Sequence, residues 1–457
     1  MDMKTIVDLS KKRWFVYAGS EIYWGLANSW DYGPYGSIMK ENIKNLWLKE
    51  FIQKRDENML LDCSLIMNPK VWEASGHASG FSDPLMDCKE CKSRQRADKL
   101  IDAHIDKTWD EEPLNYAWDK TDSKVMEDYI SEKWIACPDC WKSNFTEIRR
   151  FNLMLKTFLW VTEDSSSQAY LRPETAQGQF VDFANVARTS RKKLPFWIAQ
   201  VWKSFRNEIT PWNFIFRTRE FEQMEIEYFV APGTDEEMFA HWKNESERFF
   251  VDVIWLNKEK VRFEPIRKDE LPHYSKEAWD FEYKYPFGWG EIETLANRTD
   301  YDLSSHMRES KQDLSYFDTV NNTKFIPYVI EPAMGLSRIV LAALCDAYVE
   351  EEGRAYLKLD PKVAPVKVWV LPVVKKLSSE AREVFNQLSD DFYCEYDDAG
   401  SIWKRYARFD EIWTPFCVAI DSDNFEKWNV TVRHRDTMES EVVAISDLNN
   451  YIRERLK

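Results

Sequence analysis

The stretch from Phe205 to Phe229, FRNEITPWNFIFRTREFEQMEIEYF, constrains the fold more than any other part of the chain. Just inside its start, Arg206 and Glu208 share a face of a first short strand, and the segment around Thr210-Pro211 is typical of a connecting loop. At the two-residue period of a strand, one face of the second strand carries Arg217, Arg219, Phe221, Gln223, Glu225 and Glu227. The sequence therefore predicts a strand, a loop and a strand whose shared face carries both cations and anions.

A face of this composition suits a nucleoside triphosphate together with a small zwitterion. Guanidinium groups bind phosphate oxygens in pairs and stay charged, a flat ring can stack on a base, and carboxylates can hold an ammonium. On pattern alone, the alternative is a solvated sheet face with cross-strand ion pairs.

The sequence of this stretch resembles motif 2 of the class II aminoacyl-tRNA synthetases. It is most similar to that motif in the glycyl-tRNA synthetases of the homodimeric type. The resemblance covers nearly the whole chain. It implies an α/β (α+β) fold with an antiparallel-sheet catalytic core, a zinc insertion and a C-terminal α/β anticodon-binding domain. The expected domains are 1–87 (core with motif 1), 88–150 (zinc-ribbon-like insertion), 151–358 (core with motifs 2 and 3) and 364–457 (anticodon-binding domain).

Composition bounds the class of protein. The 457 residues are 44% hydrophobic and 15% aromatic, which is enough for two to four domains with sizeable cores. No run of 18 apolar residues occurs and the N-terminus lacks the apolar region of a signal peptide, so a cytoplasmic protein is expected. The net charge of −16 argues against a general nucleic-acid coat, and a tRNA would have to be bound through local basic patches.

The segment Ser37–Phe51, which follows Gly33-Pro34, has the apolar spacing of an amphipathic helix. On pattern alone it is an ordinary core helix. It also resembles motif 1, whose long helix forms the dimer interface of the class, and this implies a homodimer.

Four of the eight cysteines form two C-x-x-C pairs, Cys88 with Cys91 and Cys137 with Cys140. The 45 residues between the pairs suit a four-cysteine zinc site that closes an inserted module. Two unrelated redox or structural pairs are the alternative, and disulfides are not expected in a cytoplasmic chain.

Three other segments bring polar residues that the resemblance assigns to the substrate pocket. They are MNPKVWEASGHASGFSDP with Glu73 and His77, RPETAQG with Glu174, and GWGE to ANRTDYDL with Glu291 and Arg298. On pattern alone, His77 is a structural or helix-end residue, Glu174 belongs to a helix start and the last segment is a charged loop. The resemblance implies that Glu174 faces the substrate ammonium and Arg298 the substrate carboxylate.

The segment YVIEPAMGLSRIVLAALCDAY is an apolar strand that runs into an apolar helix, and a buried arginine at such a junction needs an anion. It resembles motif 3, which implies that Glu331 faces the ammonium, Gly335 leaves room for the adenosine and Arg338 holds the γ-phosphate. Ala333 departs from the family pattern EPS, which has serine at this position.

After Ala364, strand and helix patterns alternate over about 90 residues. This part resembles the family's anticodon-binding domain. By charge, Lys404, Arg405 and Arg408 are candidates for RNA contacts and equally for a solvated helix face.

The resemblance implies a ligase of protein biosynthesis that uses ATP and Mg²⁺ to activate glycine as glycyl-adenylate and then loads it on the 3′ end of the glycine tRNA. Catalytic roles fall to Arg206, Glu208 and Arg338. The expected ATP-binding residues are Arg206, Asn207, Glu208, Arg217, Phe221, Glu291, Gly335 and Arg338. The expected substrate-binding residues are Glu73, His77, Glu174, Gln223, Glu225, Arg298 and Glu331.

Two other classes of function are alternatives. One is a non-catalytic, synthetase-like protein that binds nucleic acid or assists a polymerase, and the other is a zinc-dependent structural adaptor. The joint presence of Arg206, Glu208, Phe221 and Arg338 argues against the first, and the small share of the chain between the cysteine pairs argues against the second.

Glycine is scarce and tryptophan abundant, with 13 glycines and 21 tryptophans in the chain. The glycine share is less than half of the usual share of about 7%. Our hypothesis is that the gene uses UGA for glycine and that this codon is read as tryptophan here, the alternative being true replacement of many glycines. The tryptophans that stand where the family pattern has glycine are Trp14, Trp24, Trp141, Trp160, Trp197, Trp202, Trp403 and Trp413.

Overall fold

The computed structural model describes residues 2–108, 121–164, 167–209, 213–268, 270–272, 274–351 and 354–456. Part of the connecting loop expected within motif 2, residues 210–212, lies outside these ranges. Among the described residues, no helix combines the length and the apolar character needed to cross a membrane.

The N-terminal part of the chain is built around the motif-1 helix. Its elements are α1 (Met3–Lys12), β1 (Val16–Ala18), β2 (Trp30–Tyr32), α2 (Pro34–Leu48), β3 (Asn58–Leu60), α3 (Pro69–Ala74) and α4 (His77–Gly80). Helix α2 begins at Pro34, since the fixed φ of proline suits a first turn, and it continues into a π-helical turn at Lys49–Gln53. The helix predicted from Ser37 to Phe51 is therefore confirmed with an earlier start, and its Ile43 and Trp47 are fully buried.

The described residues between 82 and 152, namely 82–108 and 121–152, form a small unit with its own apolar core. Its elements are β4 (Ser82–Asp87), β5 (Arg94–Arg96), α5 (Ala97–Thr108), α6 (Ser123–Glu132) and β6 (Arg149–Asn152). The three strands form an antiparallel sheet in the order β5-β4-β6, and Met86, Ile101, Met126 and Ile130 pack beneath it. Because Ser82 pairs with Asn152, the unit extends slightly beyond the expected bounds of 88–150, which stay a prediction.

The central part supplies most of the main sheet. Its elements are β7 (Lys156–Phe158), β8 (Gln168–Tyr170), α7 (Ala176–Val181), α8 (Phe183–Ser190), β9 (Phe196–Phe205), β10 (Glu220–Val230), α9 (Asp235–Arg248), β11 (Val261–Pro265), β12 (Glu277–Tyr285), β13 (Gly288–Thr299), α10 (Tyr301–Ser310), β14 (Tyr316–Asp318), β15 (Thr323–Phe325), β16 (Tyr328–Gly335), α11 (Leu336–Ala347), β17 (Tyr348–Glu351) and β18 (Arg354–Leu357). Seven strands form one sheet in the order β11-β12-β13-β16-β10-β9-β3, and all neighbours are antiparallel except β9 and β3. The predicted antiparallel core is confirmed.

Alternation along β10 separates the apolar side of the sheet from its polar side. Met224, Ile226 and Tyr228 join the main core, where helices α2, α9 and α11 pack against the sheet. The intervening Gln223 and Glu225 point to the opposite side and line a cavity there. One strand thus belongs to the core and to the candidate site at the same time.

The first strand of motif 2 ends earlier than the sequence predicts. Strand β9 ends at Phe205, so Arg206 and Glu208 follow the strand instead of lying on it. The N–H of Arg206 still donates to the carbonyl of Arg219 at 2.9 Å, but the chain then turns, because the N–H of Glu208 donates back to the carbonyl of Arg206 at 2.7 Å. This turn leaves the two side chains close to the cavity, although the strand was predicted wrongly.

The C-terminal part forms a second sheet flanked by helices. Its elements are β19 (Val368–Pro372), α12 (Ser378–Ser389), β20 (Cys394–Tyr396), α13 (Ile402–Glu411), β21 (Phe416–Ile420), α14 (Ser422–Phe425), β22 (Asn429–His434), β23 (Ser440–Ala444) and α15 (Leu448–Arg455). The strand order is β20-β19-β21-β22-β23, and β19 is parallel to both of its neighbours. Tyr35 of α2 donates a hydrogen bond to Glu395 at 3.0 Å, and Arg13 pairs with Glu411, so this part docks on the motif-1 region.

The three basic residues of α13 differ in their surroundings. Arg405 is buried and donates to the carbonyl oxygens of Pro372 at 2.8 Å and Asp397 at 3.1 Å, so it holds this part of the chain together. Arg408 pairs with the side chain of Asp397, whereas Lys404 is exposed. Of the three candidates for an RNA contact, Lys404 is the one that faces solvent without a described partner.

Candidate active site

A cavity of about 290 Å³ opens on the polar side of the main sheet. The antiparallel register brings the motifs together, because Gln223 lies opposite Gly335 and Glu225 opposite Ala333. The predicted site residues that line the cavity are Glu174, Arg206, Glu208, Arg217, Phe221, Gln223, Glu225, Glu291, Glu331, Gly335 and Arg338. These side chains come from segments far apart in the sequence.

One part of the cavity is cationic, and each arginine there is held in place. The Nε of Arg206 donates to the carbonyl of Pro173 at 3.1 Å, and its guanidinium lies 5.3 Å from the ring centroid of Phe221. The Nη1 of Arg338 lies 2.7 Å from the Glu291 carboxylate, and its guanidinium lies 4.5 Å from the ring of Phe216. Both cations therefore have fixed directions while they remain on the cavity wall.

Burial and charge act against each other on these cations. Burial lowers the pKa of Arg217, although Glu208 lies 3.6 Å away. Burial alone would also lower the pKa of Arg338, but the charge of Glu291 raises it above its ordinary value. The guanidinium groups stay charged in either case, so the cavity has a positive end next to the aromatic ring of Phe221.

The other part of the cavity is acidic: Glu225 and Glu331 line it, and Glu227 is fully buried next to them, outside the lining. Carboxylate oxygens of Glu225, Glu227 and Glu331 all lie within 4.8 Å of one another, and all three residues are buried. Burial and the nearby negative charges raise the pKa of both Glu225 and Glu227 well above their ordinary values. Among the described residues, neither carboxylate oxygen of Glu227 has a hydrogen-bond partner. The guanidinium of Arg298, which pairs with Glu331, is shared with Asp302, so the three carboxylates remain short of positive charge and favour a bound cation.

Glu174 differs from this cluster because its pKa is lowered, whereas the pKa values of Glu225, Glu227 and Glu331 are raised. The Nε2 of His77 lies 3.3 Å from its carboxylate, and the Nδ1 of His77 lies 2.8 Å from the hydroxyl of Ser75. Burial alone would raise the pKa of Glu174, but His77 and Arg298 hold it below its ordinary value. Glu174 therefore stays ionised on the cavity wall.

Arg298 was predicted to face the substrate carboxylate, and the structure places it beneath the cavity. Its side chain is 1% exposed. Its Nη1 donates to both oxygens of Glu331 at 2.8 and 2.9 Å, while Nε and Nη2 donate to Asp302 at 2.7 and 2.8 Å. The geometry makes Arg298 the residue that orients Glu331.

Three further predicted residues do not line the cavity. Glu73 is exposed near the end of α3, Asn207 is absent from the lining, and His77 is connected to the cavity through its contact with Glu174. The backbone N–H of Asn207 instead donates to the carbonyl of Leu153 at 2.7 Å. Arg219, on the predicted polar face, also turns away, since its Nε donates to the carbonyl of Glu208 at 3.1 Å.

Sequence reasoning missed a polar network behind the acidic residues. The hydroxyl of Thr175 donates to Glu225, and Gln177 donates to Glu174 at 2.9 Å and to Asp302 at 3.1 Å. Thr175 and Gln177 lie in the segment RPETAQG with Glu174, and Asp302 lies in ANRTDYDL with Arg298. Their position beside predicted site residues is the sequence signal that could have identified them. Their buried contacts depend on tertiary packing.

The four cysteines of the C-x-x-C pairs form a candidate metal centre in the unit 82–152. All four Sγ atoms lie within 4.8 Å of one another, with 3.5 Å between Cys88 and Cys140 and 3.7 Å between Cys91 and Cys137. A tetrahedral ion with metal–sulfur distances of about 2.3 Å separates its sulfur ligands by roughly 3.8 Å. The donor set and its spacing therefore fit a structural four-cysteine metal site.

Two family models match the chain. The model described as "tRNA synthetase class II core domain (G, H, P, S and T)" matches residues 159–347, which contain most of the cavity. The model described as "Anticodon binding domain" matches residues 367–455, which form the second sheet. The predicted class II core and anticodon-binding domain are thereby confirmed.

Curated relatives match over their full length. The glycine–tRNA ligase of Clostridium acetobutylicum is 54% identical over 460 residues, which cover 100% of this chain and 99% of that protein. The glycine–tRNA ligase of Alkaliphilus oremlandii is 53% identical over 460 residues, which cover 100% of this chain and 98% of that protein. That of Acetivibrio thermocellus is 54% identical over 455 residues, which cover 98% and 97%. This chain therefore belongs to the glycine–tRNA ligase family of class II synthetases.

Proposed function

We propose that this chain activates glycine with ATP and transfers the glycyl group to the 3′ end of a glycine tRNA. The observation that carries the proposal is a single cavity with fixed guanidinium groups and an aromatic ring in one part and buried carboxylates in the other. A triphosphate with its base suits the first part, and the ammonium of an amino acid suits the second. The triphosphate and the amino acid would meet where the two parts of the cavity adjoin.

Arg206 and Phe221 are proposed to hold the reacting part of ATP. The guanidinium of Arg206 lies beside the ring of Phe221, so a base stacked on that ring would bring its α-phosphate within reach of Arg206. Arg206 would then stabilise the charge that develops on the α-phosphate in the in-line transition state. Glu208 would bind the adenine amino group, and Arg338 the γ-phosphate.

Mg²⁺ binds oxygen ligands and neutralises phosphate charge when it is held between a carboxylate and a triphosphate. Glu291 fits this role, because its carboxylate lines the cavity beside Arg338. Arg338 and Glu291 would therefore both face the triphosphate, one as a direct ligand and one through the ion.

The acidic cluster is proposed to bind the glycine ammonium. Burial raises the pKa of Glu225 and Glu227, and the charges of neighbouring carboxylates raise it further. One ammonium would offset the repulsion among these carboxylates. Glu174, which stays ionised, completes the anionic surroundings. Arg298 would act through Glu331 by holding its carboxylate in place.

The reaction needs no nucleophile from the protein. A glycine carboxylate oxygen attacks the α-phosphorus of ATP, the bond to the β-phosphate oxygen breaks, and pyrophosphate leaves. A hydroxyl of the terminal tRNA ribose then attacks the glycyl carbonyl and AMP leaves. The protein supplies position and charge, while the C-terminal sheet would bind the tRNA.

We further propose that the four cysteines hold a structural Zn²⁺ and that the chain forms homodimers. The fit of the Sγ distances to a tetrahedral ion supports the zinc. An exposed apolar group next to the motif-1 region, made of Ile22, Tyr23 and Leu26, supports an interface there. A cytoplasmic location follows from the proposed role in protein synthesis.

The test of the activation step is glycine-dependent exchange of pyrophosphate into ATP. We expect exchange in the presence of glycine and Mg²⁺. We expect none when alanine or serine replaces glycine. A non-catalytic synthetase-like protein or a zinc adaptor would give no exchange with any amino acid, and that result would reject the proposal.

A further inference from the structure

Seven tryptophans have a backbone conformation that glycine favours. Their φ angles lie between 51° and 66°, in the left-handed region, at Trp14, Trp24, Trp134, Trp141, Trp255, Trp413 and Trp428. In that region the Cβ of an L-residue crowds the following carbonyl oxygen, and for bulky residues this conformation is a genuine outlier. The described chain has 17 non-glycine residues with positive φ, of which tryptophan supplies more than twice as many as asparagine, the residue ordinarily enriched there.

Three of the seven end α-helices in the same way. After α1, the N–H of Trp14 donates to Lys11 at 3.4 Å and the next N–H, that of Phe15, donates to Ser10 at 2.9 Å. This pair of bonds is the Schellman motif, in which the first residue past the cap is left-handed and is usually glycine. The same two bonds follow α6 around Trp134 and α13 around Trp413.

The other positions also terminate turns. Trp24 ends a 3₁₀ turn and donates its N–H to the carbonyl of Glu21 at 2.9 Å, and Trp428 donates in the same way to Phe425 at 2.9 Å. Trp255 follows a π-helical turn that Leu256 closes by donating to Phe250 at 3.0 Å. Each indole is thus attached where the backbone conformation favours a residue without a side chain.

Trp141, which follows the second cysteine pair, has the same backbone conformation as Lys92, which follows the first pair. The N–H of Trp141 donates to Cys137 at 2.8 Å, as the N–H of Lys92 donates to Cys88 at 2.9 Å, and Lys92 also has a left-handed φ of 64°. A side chain is therefore tolerated at this turn. Trp141 belongs with the other six because of its residue type and its exposure.

The exposed side chains give little compensation for this backbone strain, although the ring of Trp14 lies 5.5 Å from that of Tyr35 and the ring of Trp428 lies 6.4 Å from that of Phe425. Six of the seven indoles are 53–95% exposed, although tryptophan is on average one of the more buried residues. Trp413 is the exception, since it is buried against the ring of Tyr356 and its Nε1 donates to Asp436 at 2.7 Å. Exposed tryptophans at strained positions are not what selection for stability produces.

We propose that the protein made in its own cell has glycine at these seven positions, because its gene encodes them with UGA, which its ribosomes read as glycine. This exchange would raise the number of glycines from 13 to 20 and lower the number of tryptophans from 21 to 14, which accounts for part of the scarcity and of the excess. Trp14, Trp24, Trp141 and Trp413 were already suspected from the family pattern. Trp134, Trp255 and Trp428 come from the backbone alone.

The remaining four suspected positions have ordinary backbone angles. Trp160 lies in a bend, Trp197 and Trp202 lie in β9, and Trp403 lies in α13. Trp197 is also buried, with its ring 5.4 Å from Tyr228. For these four, the glycine hypothesis stays a prediction from the sequence.

The direct test is the codon at each position. Trp47 and Trp72 are matched controls, because both are fully buried in right-handed helices. We expect UGA at the seven left-handed positions and UGG at the two controls, with glycine in the corresponding peptides when the protein from its own cells is analysed by mass spectrometry. UGG at the seven positions, UGA at the controls as well, or tryptophan in the native peptides would each overturn the proposal.

A second test compares two versions of the full chain. A chain with the seven substitutions to glycine should unfold at a higher temperature than the tryptophan chain, whereas Trp47→Gly and Trp72→Gly should each lower the unfolding temperature. Glycine-dependent exchange of pyrophosphate into ATP, measured on both chains, shows whether the active site is folded. The proposal itself is tested by the unfolding temperatures. A seven-glycine chain that unfolds at or below the temperature of the tryptophan chain would contradict the proposal.

Discussion

The Nη1 of Arg298 donates to both carboxylate oxygens of Glu331, at 2.8 and 2.9 Å, while the rest of its guanidinium binds Asp302. Both partners of the first pair are buried, so the pair is isolated from the screening of solvent. The contact joins motif 3 to the ANRTDYDL segment. It fixes the carboxylate that we propose to face the glycine ammonium.

Replacing Arg298 by Ala should therefore destabilise the protein strongly. The change leaves Glu331 and Asp302 buried without their cation, and breaking such a pair costs about 3–5 kcal/mol. The control is Arg308→Ala on α10, the helix that follows β13, because its side chain is mostly exposed and should contribute less than about 1 kcal/mol. Urea unfolding of both variants measures the difference, and equal losses would contradict the role given to Arg298.

A second prediction concerns the pH dependence of stability. Burial and the charges of Glu331 and Glu174 raise the pKa of Glu225 well above its ordinary value. Between the ordinary carboxyl pKa of about 4.3 and the raised value, the folded protein binds more protons than the unfolded chain. The contribution of Glu225 to the free energy of unfolding therefore falls as pH rises through this window.

Glu225→Gln should remove that decline. The variant should be more stable than the parent chain at pH 8 and nearly equal to it at pH 4, while its KM for glycine rises because the ammonium loses a carboxylate. The control is Glu383→Gln, an exposed position on α12. Thermal unfolding at several pH values tests this, and a loss of stability at pH 8 would show that the acidic cluster is compensated in the free protein.

The metal prediction is quantitative. The purified protein should carry about one zinc per chain, and Cys88→Ser combined with Cys137→Ser should remove it. The unit 82–152 should then lose order, because its small apolar core depends on the ion. Metal analysis and limited proteolysis measure both effects. A native protein free of metal would show that the four cysteines have another role.

Arg206→Ala should reduce pyrophosphate exchange by a factor of about 10²–10³ or more, since a fixed charge at the transition state is lost. Its guanidinium makes one described hydrogen bond, to Pro173, so the unfolding temperature should change little. Arg188→Ala, on the exposed side of α8, is the matched control and should keep full exchange. Near-normal exchange by Arg206→Ala would defeat the proposed ATP site.

Local periodicity was enough to predict part of the site. The alternation in FRTREFEQME placed Phe221, Gln223 and Glu225 on one face, because successive residues of a strand point to opposite sides. The same alternation placed Arg219 on this face, which was wrong. Strand β10 begins only at Glu220, and the Nε of Arg219 donates to the carbonyl of Glu208 in the preceding turn. Strand ends are set by hydrogen bonds that the sequence does not display.

Long-range contacts could not be predicted in this way. Arg298 was expected at the substrate carboxylate, and its pairing with Glu331 follows from the register of β13 and β16, in which Ala296 lies opposite Glu331. The left-handed φ of Trp134 and Trp255 could not be predicted either. A glycine just past a helix end is the sequence signal of a left-handed cap, and this sequence has tryptophan at both positions. Tertiary packing and backbone geometry supplied what residue patterns could not.

The central claim is that one cavity activates glycine for transfer to tRNA. The measurement that tests it most directly is the formation of glycyl-tRNA from labelled glycine, ATP, Mg²⁺ and the glycine tRNA of the source organism, with the seven-glycine chain as enzyme. The account predicts ATP-dependent labelling of the tRNA 3′ end by glycine, no labelling by alanine or serine, and loss of labelling in Arg206→Ala. A folded chain that leaves the tRNA unlabelled, or an Arg206→Ala variant that labels it normally, would contradict the account.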